Sequence, residues 1–351
     1  MMMVNRKKKT LYLTIAFVLL ILIPFIAQLR IKIGGQYIKY SSWIDLFNGI
    51  LLYSLLAISL NLLIGNAGQI SIGHAGFYAI GAYSSAIFML ELSIPFFISI
   101  ILAALLTGTI GFLIGMPVLR LEGHYLGIAT LGIGVVVEEL TRKEMFKKPG
   151  ELIGPLGYNY NILGYNLEGA NRQYLGRIFG IDNTFISYLI ILTITIGIIF
   201  LVKNLLKTKT GRALSALRDS QTAARMMGVN LALYKNIAFG LSSFIAGFAG
   251  GLYAHLMGAL ESHTFNLGVS LILLAIITIG GLATIEGSVY GAIFVVFIDQ
   301  RLVSLAPEKY RGSSRSFLIG LVLILVIMFF PRGLVFLKFK VKAWLAKAKA
   351  Q

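Results

Sequence analysis

Long apolar runs separated by short polar connections dominate the pattern of this chain. A helix that crosses the hydrocarbon core of a bilayer needs about 20 predominantly apolar residues. The pattern therefore predicts an all-α fold, a polytopic membrane helix bundle of about ten transmembrane helices. The predicted spans are 11–29, 44–65, 69–90, 94–118, 124–139, 184–203, 235–257, 267–282, 286–304 and 315–331.

The first apolar run follows a basic segment, Arg6 to Lys9, and so imitates a secretory signal peptide. Signal peptides have an apolar stretch of about 7–15 residues that ends at a small-residue cleavage site. The run from Leu11 to Leu29 is longer and ends beside Arg30. We therefore predict that it is retained as the first helix.

Two predicted spans, 69–90 and 267–282, are short or rich in glycine, which indicates broken or re-entrant helices. Each glycine costs a helix about 1 kcal/mol relative to alanine. Broken helices persist at membrane depth only where protein or a water-filled cavity satisfies the freed backbone groups. The glycines around the first of these spans are Gly65, Gly68, Gly73, Gly76 and Gly81.

Other glycines are spaced four residues apart, which places both on one helix face. Such small faces let helix backbones approach closely in a membrane. We assign them to helix packing and not to chemistry. The pairs are Gly111 and Gly115, Gly247 and Gly251, and Gly287 and Gly291.

Polar side chains crowd into the apolar stretch around residues 61–74, where Asn66 accompanies four further polar residues, Asn61, Gln69, Ser71 and His74. Polar groups inside a membrane are costly and usually face the interior of a helix bundle or a wet cavity. We therefore predict that these four residues line a translocation pathway. For His74 two roles remain open, a hydrogen bond between helices and a contact with a transported molecule.

Composition agrees with lipid as the main solvent, because 57% of the residues are hydrophobic and only 13% are charged. Soluble domains are about a quarter charged. The net charge of +17 does not indicate nucleic-acid binding, since its basic residues are dispersed between apolar runs and not clustered on one water-facing domain. The absence of cysteine excludes disulfides and thiolate metal sites.

The basic residues also predict the orientation of the chain. Arg6–Lys9, Arg120, the stretch 203–235 and the tail 332–349 fall on one side of the predicted membrane. Because loops rich in lysine and arginine stay cytoplasmic, we predict a multi-pass protein of the cell membrane, plasma or inner, with both termini in the cytoplasm.

Two connections are long enough to have their own structure. The external loop 140–183 contains the turn pairs Pro149-Gly150 and Gly154-Pro155. The cytoplasmic loop 204–234 has a helical pattern, with Thr210 as the predicted N-cap and Gly228 as the helix stop. Asp219 and Ser220 predict a break between two short helices. An alternative for this loop is a solvated basic helix held at lipid headgroups.

The cytoplasmic loop resembles the coupling loop of ABC importer permeases, whose Glu-Ala-Ala…Gly pattern docks into the ATPase subunit. Here Thr222-Ala223-Ala224 stands in place of Glu-Ala-Ala, with Gly228 at the matching distance and without the acid. The resemblance implies that residues of this loop couple the chain to an ATPase. They are Arg212, Arg218, Asp219, Ala223, Ala224 and Gly228.

A second resemblance rests on the stretch 60–83, which contains Gly68-Gln-Ile-Ser-Ile-Gly-His-Ala75. It is similar to a signature of the branched-chain amino acid permease family, in particular its M-type subunit. The blocks 120–132 and Gly280-Gly281…Gly287…Gly291 resemble further family blocks in the same order. The resemblance covers most of 44–330 and implies a single transmembrane permease domain, 1–351, with about ten helices around a central pathway.

The family implies a function, the membrane-spanning permease subunit of an ATP-driven ABC importer for branched-chain or other hydrophobic amino acids. The implied partners are a second permease subunit of the H-type, two ATP-binding cassette subunits, an extracytoplasmic amino-acid-binding protein and the lipid bilayer, without nucleic acid. ATP would bind to the partner ATPase subunits, so no cofactor is expected in this chain. Two alternatives remain: an ABC permease for urea or short amides, and an ion-coupled secondary transporter, which needs ionisable residues near the membrane midplane.

Motifs of enzymes are missing from the sequence. The phosphate-binding pattern Gly-x-x-x-x-Gly-Lys-Ser/Thr does not occur, so ATP hydrolysis by this chain is not predicted. The four histidines show no His-Glu-x-x-His arrangement, and no Gly-x-Ser-x-Gly elbow occurs. We predict neither catalytic residues nor a metal site.

Overall fold

The computed structural model describes residues 40–118, 121, 123–142, 183–257, 260 and 262–302, with the short pieces 32–33, 36–37, 161–162, 165–166, 320–321, 324, 328 and 333–335. Ten α-helices lie in this part of the chain. They are α1 Tyr40–Asn61, α2 His74–Leu90, α3 Phe96–Val118, α4 His124–Arg142, α5 Asn183–Leu205, α6 Lys209–Asp219, α7 Gln221–Met226, α8 Leu231–Met257, α9 Leu267–Gly280 and α10 Ile285–Phe297.

The remaining described elements are short. A π-helical turn follows α1 at Leu62–Asn66, another follows α10 at Ile298–Leu302, and a 3-10 turn lies at Ser262–Phe265. Two antiparallel pairs of two-residue strands complete the inventory. They are β1 Lys32–Ile33 with β2 Gln36–Tyr37, and β3 Asn161–Ile162 with β4 Tyr165–Asn166.

Four helices of the described residues are long and apolar enough to cross a membrane: Trp43–Asn66, Phe96–Val118, Tyr188–Leu205 and Leu231–Leu256. The bent pair formed by α9 and α10 makes a fifth candidate. The predicted all-α polytopic membrane bundle is thereby confirmed. The predicted span 11–29 and most of 315–331 lie outside the described residues.

Helix α8 is the centre of the bundle and packs against α1, α2 and α3. Small residues allow this closeness, since a Cβ placed on Gly81 of α2 would overlap the backbone of Gly247 in α8. The next glycine of the same face, Gly251, packs against Ile100. Close backbone approach maximises van der Waals contact between helices in lipid. The predicted packing role of the Gly247 pair is confirmed.

Replacing Gly81 with alanine is expected to destabilise the protein by about 2 kcal/mol, because the added methyl group would push against a backbone that cannot rotate away. Thermal unfolding in detergent measures this loss. The matched control is Gly197→Ala in α5, where a Cβ would meet no atom within 4 Å. Equal melting temperatures for the two variants would contradict the expected effect.

The chain breaks between α1 and α2, in residues 62–73, which we call the first break. Gly68 adopts a left-handed φ of 69° and ends the α1 extension, as glycine commonly does after a helix. The predicted span 69–90 therefore becomes helical only at His74. Neighbouring helices satisfy the freed backbone groups: the amide of Ile72 donates to Thr130 Oγ1 at 3.0 Å.

A second break separates α9 from α10, whose axes differ by 118°. The second break is residues 281–284, where Gly281 and Ala283 have φ values of 122° and 60°. Two glycines of α10 let the helix pack closely against α9 and the turn. A Cβ on Gly287 or Gly291 would overlap carbonyl oxygens of α9 or the turn. The prediction of a broken helix at 267–282 is confirmed, with the bend at the end of that range.

Candidate functional site

The predicted two-helix loop is present as α6 and α7, and residues 208–230 are called the α6–α7 segment below. Ser220 caps α7, because its Oγ accepts a hydrogen bond from the amide of Ala223 at 3.2 Å. The predicted break at Asp219 and Ser220 is thereby confirmed. The predicted N-cap at Thr210 is wrong: Thr208 caps α6, with its Oγ1 accepting from Gly211 at 3.5 Å.

Gly228 ends α7, as predicted. Its φ of 78° is left-handed, and its amide donates to the carbonyl of Arg225 at 3.0 Å. The next amide, of Val229, returns to the carbonyl of Ala224 at 3.0 Å. This pattern satisfies helix carbonyls that would otherwise lack partners. The glycine therefore fixes the angle at which α7 leaves the segment.

The apolar residues of the α6–α7 segment divide between two faces. Leu214 and Leu217 of α6 and Ala224 of α7 are buried in the bundle. Met226 and Met227 are 82% and 84% exposed. Methionine side chains are flexible and polarisable and are common on surfaces that bind protein partners. The segment is thus anchored on one side and presents an apolar tip on the other.

The structure places the six predicted coupling residues at different depths. Arg212, Ala223 and Gly228 are exposed, whereas Ala224 is buried. Asp219 and Arg218 form an ion pair of 2.8 Å on the exposed side of α6. Exposed pairs of this kind contribute little to stability, so their interest lies in what else they contact.

Arg218 reaches back to the first break. Its Nη1 donates to the carbonyl oxygen of Gly65 at 3.2 Å, while Nε and Nη2 donate to Asp219. A Cβ on Gly68 would lie 3.1 Å from the Cα of Arg218, so the backbones also approach closely. The α6–α7 segment therefore rests directly on the first break.

Asn61, predicted for the pathway, has three partners in the second break and α10. Its Nδ2 donates to the carbonyl of Thr284 at 2.9 Å and to Ser288 Oγ at 2.8 Å. Its Oδ1 accepts from the amide of Ala283 at 2.8 Å. The side chain is buried, so these bonds satisfy nearly all of its hydrogen-bonding capacity.

His74 joins α2 to α1, since its Nε2 lies 2.7 Å from Ser59 Oγ. This is the hydrogen bond between helices that the sequence left open. Gln69 and Ser71 are equally buried, but their side chains have no hydrogen-bond partner in the described part of the chain. No hydrogen bond joins any two of the four predicted pathway residues there. Their role in a pathway stays a prediction.

A small apolar cleft, with room for about one water molecule, lies beside the start of α2. It runs between α2, α4 and the beginning of α9. Its walls are mostly hydrocarbon and backbone, with Ser270 as a polar group. The side chains and backbones around it belong to Gly73, Ala75, Leu131, Gly134, Val135, Phe265, Asn266, Leu267 and Ser270.

Sequence reasoning missed the residues that meet Asn61. Ala283, Thr284 and Ser288 carry no ionisable group and lie 222 to 227 positions from Asn61 along the chain. The only available signal was the glycine block at 280–291.

Among the residues that the structure describes, no three histidine, cysteine or acidic side chains are placed to hold a metal ion.

Comparison with known proteins agrees with the membrane-spanning character of the helices. The family model for the branched-chain amino acid transport system permease component matches residues 43–327. The high-affinity branched-chain amino acid transport system permease protein LivM of Salmonella typhimurium is 30% identical over 323 residues, which cover 88% of this chain and 73% of that protein. Its counterpart in Escherichia coli K12 is 29% identical over 324 residues, with the same coverage.

A more distant likeness covers one part of the chain. The autoinducer 2 import system permease protein LsrC of Escherichia coli O9:H4 is 32% identical over 136 residues, 37% of this chain and 39% of that protein. No solved structure matches the chain. The family match spans far more than half of the chain, and the described helices are those of a multi-pass membrane protein. The chain belongs to the permease components of branched-chain amino acid transport systems.

Proposed function

We propose that this chain is the membrane-spanning permease subunit of an ATP-driven ABC importer for branched-chain or other hydrophobic amino acids. In this proposal the chain forms one transmembrane domain, 1–351, in the plasma or inner membrane. Loop 204–234 and both termini face the cytoplasm, and loop 140–183 faces outward. The family is one of transport permeases and not of enzymes, and the proposal assigns no catalysis to this chain.

The observation that carries the proposal is the apolar tip at Met226 and Met227. A solvated surface helix would bury its apolar face and expose its polar one. Here α6 already buries Leu214 and Leu217, and the two methionines remain exposed beyond them. An exposed apolar patch rimmed by charge is typical of a protein-binding site. We propose that an ATP-binding cassette subunit occupies it.

The remaining partners follow from this assignment. Two ATPase subunits would bind the ATP, and an H-type permease would supply the second half of the membrane domain. An extracytoplasmic binding protein would deliver the amino acid. Gln69 and Ser71, whose buried side chains have no hydrogen-bond partner in the described part of the chain, are candidates for polar contacts along the route.

Co-expression with these partners tests the proposal. We expect two ATPase subunits and a second permease to co-purify in mild detergent, and proteoliposomes to take up leucine when ATP and the binding protein are present. Uptake of urea in place of leucine would move the substrate to the short-amide alternative. Uptake by this chain alone, driven by an ion gradient, would reject the importer.

The orientation has its own test because the chain contains no cysteine. When the chain is expressed without the ATPase subunits, a cysteine at Met226 is expected to react with a membrane-impermeant maleimide in inside-out vesicles and not in intact cells. The matched control is Leu92→Cys, which is 60% exposed in the connection after α2 and should react only in intact cells. The opposite labelling pattern would place the tip outside and end the proposal.

A further inference from the structure

We infer that Arg218 and Asn61 join the α6–α7 segment to both helix breaks, so that these parts of the chain move as one unit. The inference rests on the proposed function, because it describes how a push from a bound ATPase reaches the bundle. It assigns a positioning role to two side chains, neither of which needs to touch the transported molecule.

The first link is the bond from Arg218 to the first break. The last carbonyls of a helix have no partner within the helix, and a positive charge is favourable there. Leu63 and Ile64 give their carbonyls to the amides of Gln69 and Gly68. The carbonyl of Gly65 instead accepts from the Arg218 guanidinium at 3.2 Å. The end of the α1 extension is therefore capped by α6.

Asp219 holds the guanidinium in the orientation that this bond needs. Its Oδ1 accepts from Nε at 3.0 Å and from Nη2 at 2.8 Å, which leaves Nη1 directed at Gly65. A planar guanidinium held at two nitrogens has little rotational freedom, unlike a lysine ammonium. The link is therefore directional and transmits displacement of α6 to Gly65.

The second link lies on the other side of the same glycine. A Cβ on Gly65 would overlap the Asn61 amide oxygen and the amide nitrogen of Ala283, so nothing separates the two breaks at this point. Asn61 then fastens them with its three bonds to Ala283, Thr284 and Ser288. Arg218, Gly65 and the second break form a continuous line of contact.

These contacts lie at two sites where the bundle can bend. Domain motions are absorbed at a few residues at the ends of secondary-structure elements. The two breaks are such places, because the helical hydrogen bonding of α1 and of α9 stops there. A displacement of the α6–α7 segment therefore acts on both potential hinges together and not on either one alone.

A double-mutant cycle in the reconstituted complex tests the inference. The readout is the number of leucine molecules transported per ATP hydrolysed, because simple loss of folded protein lowers transport and hydrolysis together and leaves that ratio unchanged. We expect Arg218→Gln and Asn61→Ala each to lower the ratio about tenfold. The ratio of the double variant should equal that of the more impaired single variant within about twofold, because both substitutions interrupt one route.

Two further variants serve as controls. Lys203→Gln removes an exposed positive charge in the last turn of α5, outside the α6–α7 segment, and should leave the ratio within about twofold of the wild type. Arg218→Lys keeps the charge but loses the planar guanidinium, and should restore part of the ratio. Multiplying effects in the double variant, or an Arg218→Gln ratio equal to that of Lys203→Gln, would overturn the inference. Failure of the wild-type chain to bind ATPase subunits would instead reject the proposed function.

Discussion

Replacing Met226 and Met227 together with aspartate is expected to release the ATPase subunits from the purified complex. Both side chains are more than four-fifths exposed, so the substitution leaves the bundle intact. At the centre of the proposed interface, the double substitution removes two apolar side chains. It also introduces two carboxylates that would be buried away from water. We expect a loss of about 4 kcal/mol, or roughly a thousandfold weaker association.

Pull-down from detergent at several protein concentrations measures this change, and the melting temperature reports on the fold. The control Leu92→Asp places a single carboxylate at an exposed position in the connection after α2. Its association with the ATPase subunits should equal that of the wild type. Retention of the subunits by the double aspartate variant would show that the tip is not their binding site.

Replacing Gly65 with valine is expected to destabilise the bundle and to impair transport. The new side chain would meet the backbone of Ala283 and the amide of Asn61, and a backbone contact cannot be relieved by a rotamer change. Overpacking of this kind costs about 3 kcal/mol. Because the insertion also separates the two breaks, transport should fall below about one tenth of the wild-type rate.

Unfolding in detergent and leucine uptake are measured on the same preparation of this variant. Gly197→Val is the matched control, since a Cβ at that exposed position would meet no atom within 4 Å. It should keep both the stability and the transport of the wild type. Normal uptake by Gly65→Val would mean that the contact between the breaks is not needed for transport.

Sequence patterns located the helices well because a membrane span is defined by its own composition. The predicted spans 94–118 and 184–203 differ from α3 and α5 by at most two residues at each end. The predicted start of span 69–90 lies five residues before the observed start of α2 at His74. The sequence stays hydrophobic there, but the amide of Ile72 donates to a neighbouring helix and not within its own. Hydropathy measures the solvent around a segment and not its hydrogen bonding.

The loop between α5 and α8 was predicted in outline but not in its contacts. Ser220 and Gly228 signalled the caps of α7 by local chemistry, which a sequence carries directly. Thr210 was wrong by two positions, because Thr208 offers the same side chain and lies at the end of the preceding turn. The division into a buried and an exposed face needed the bundle itself.

The sequence alone could not predict the hydrogen bonds of Asn61. It singled out this residue as a polar group in an apolar span, which says only that burying the side chain without a partner costs free energy. Its partners lie 222 to 227 positions away, and two of its three bonds go to main-chain groups that every residue has. The type of side chain predicts that a partner must exist but not where it is.

The burial of the inner face of α6 leaves only a small area of the α6–α7 segment for an outside protein. Small interfaces hold their partners weakly and briefly. In the assembly proposed above, the H-type permease would contact the second ATPase subunit in the same way. If the two ATPase subunits associate, each engaged contact raises the local concentration at the other. The assembly would then persist through avidity, while either contact stays free to detach and rebind during a cycle.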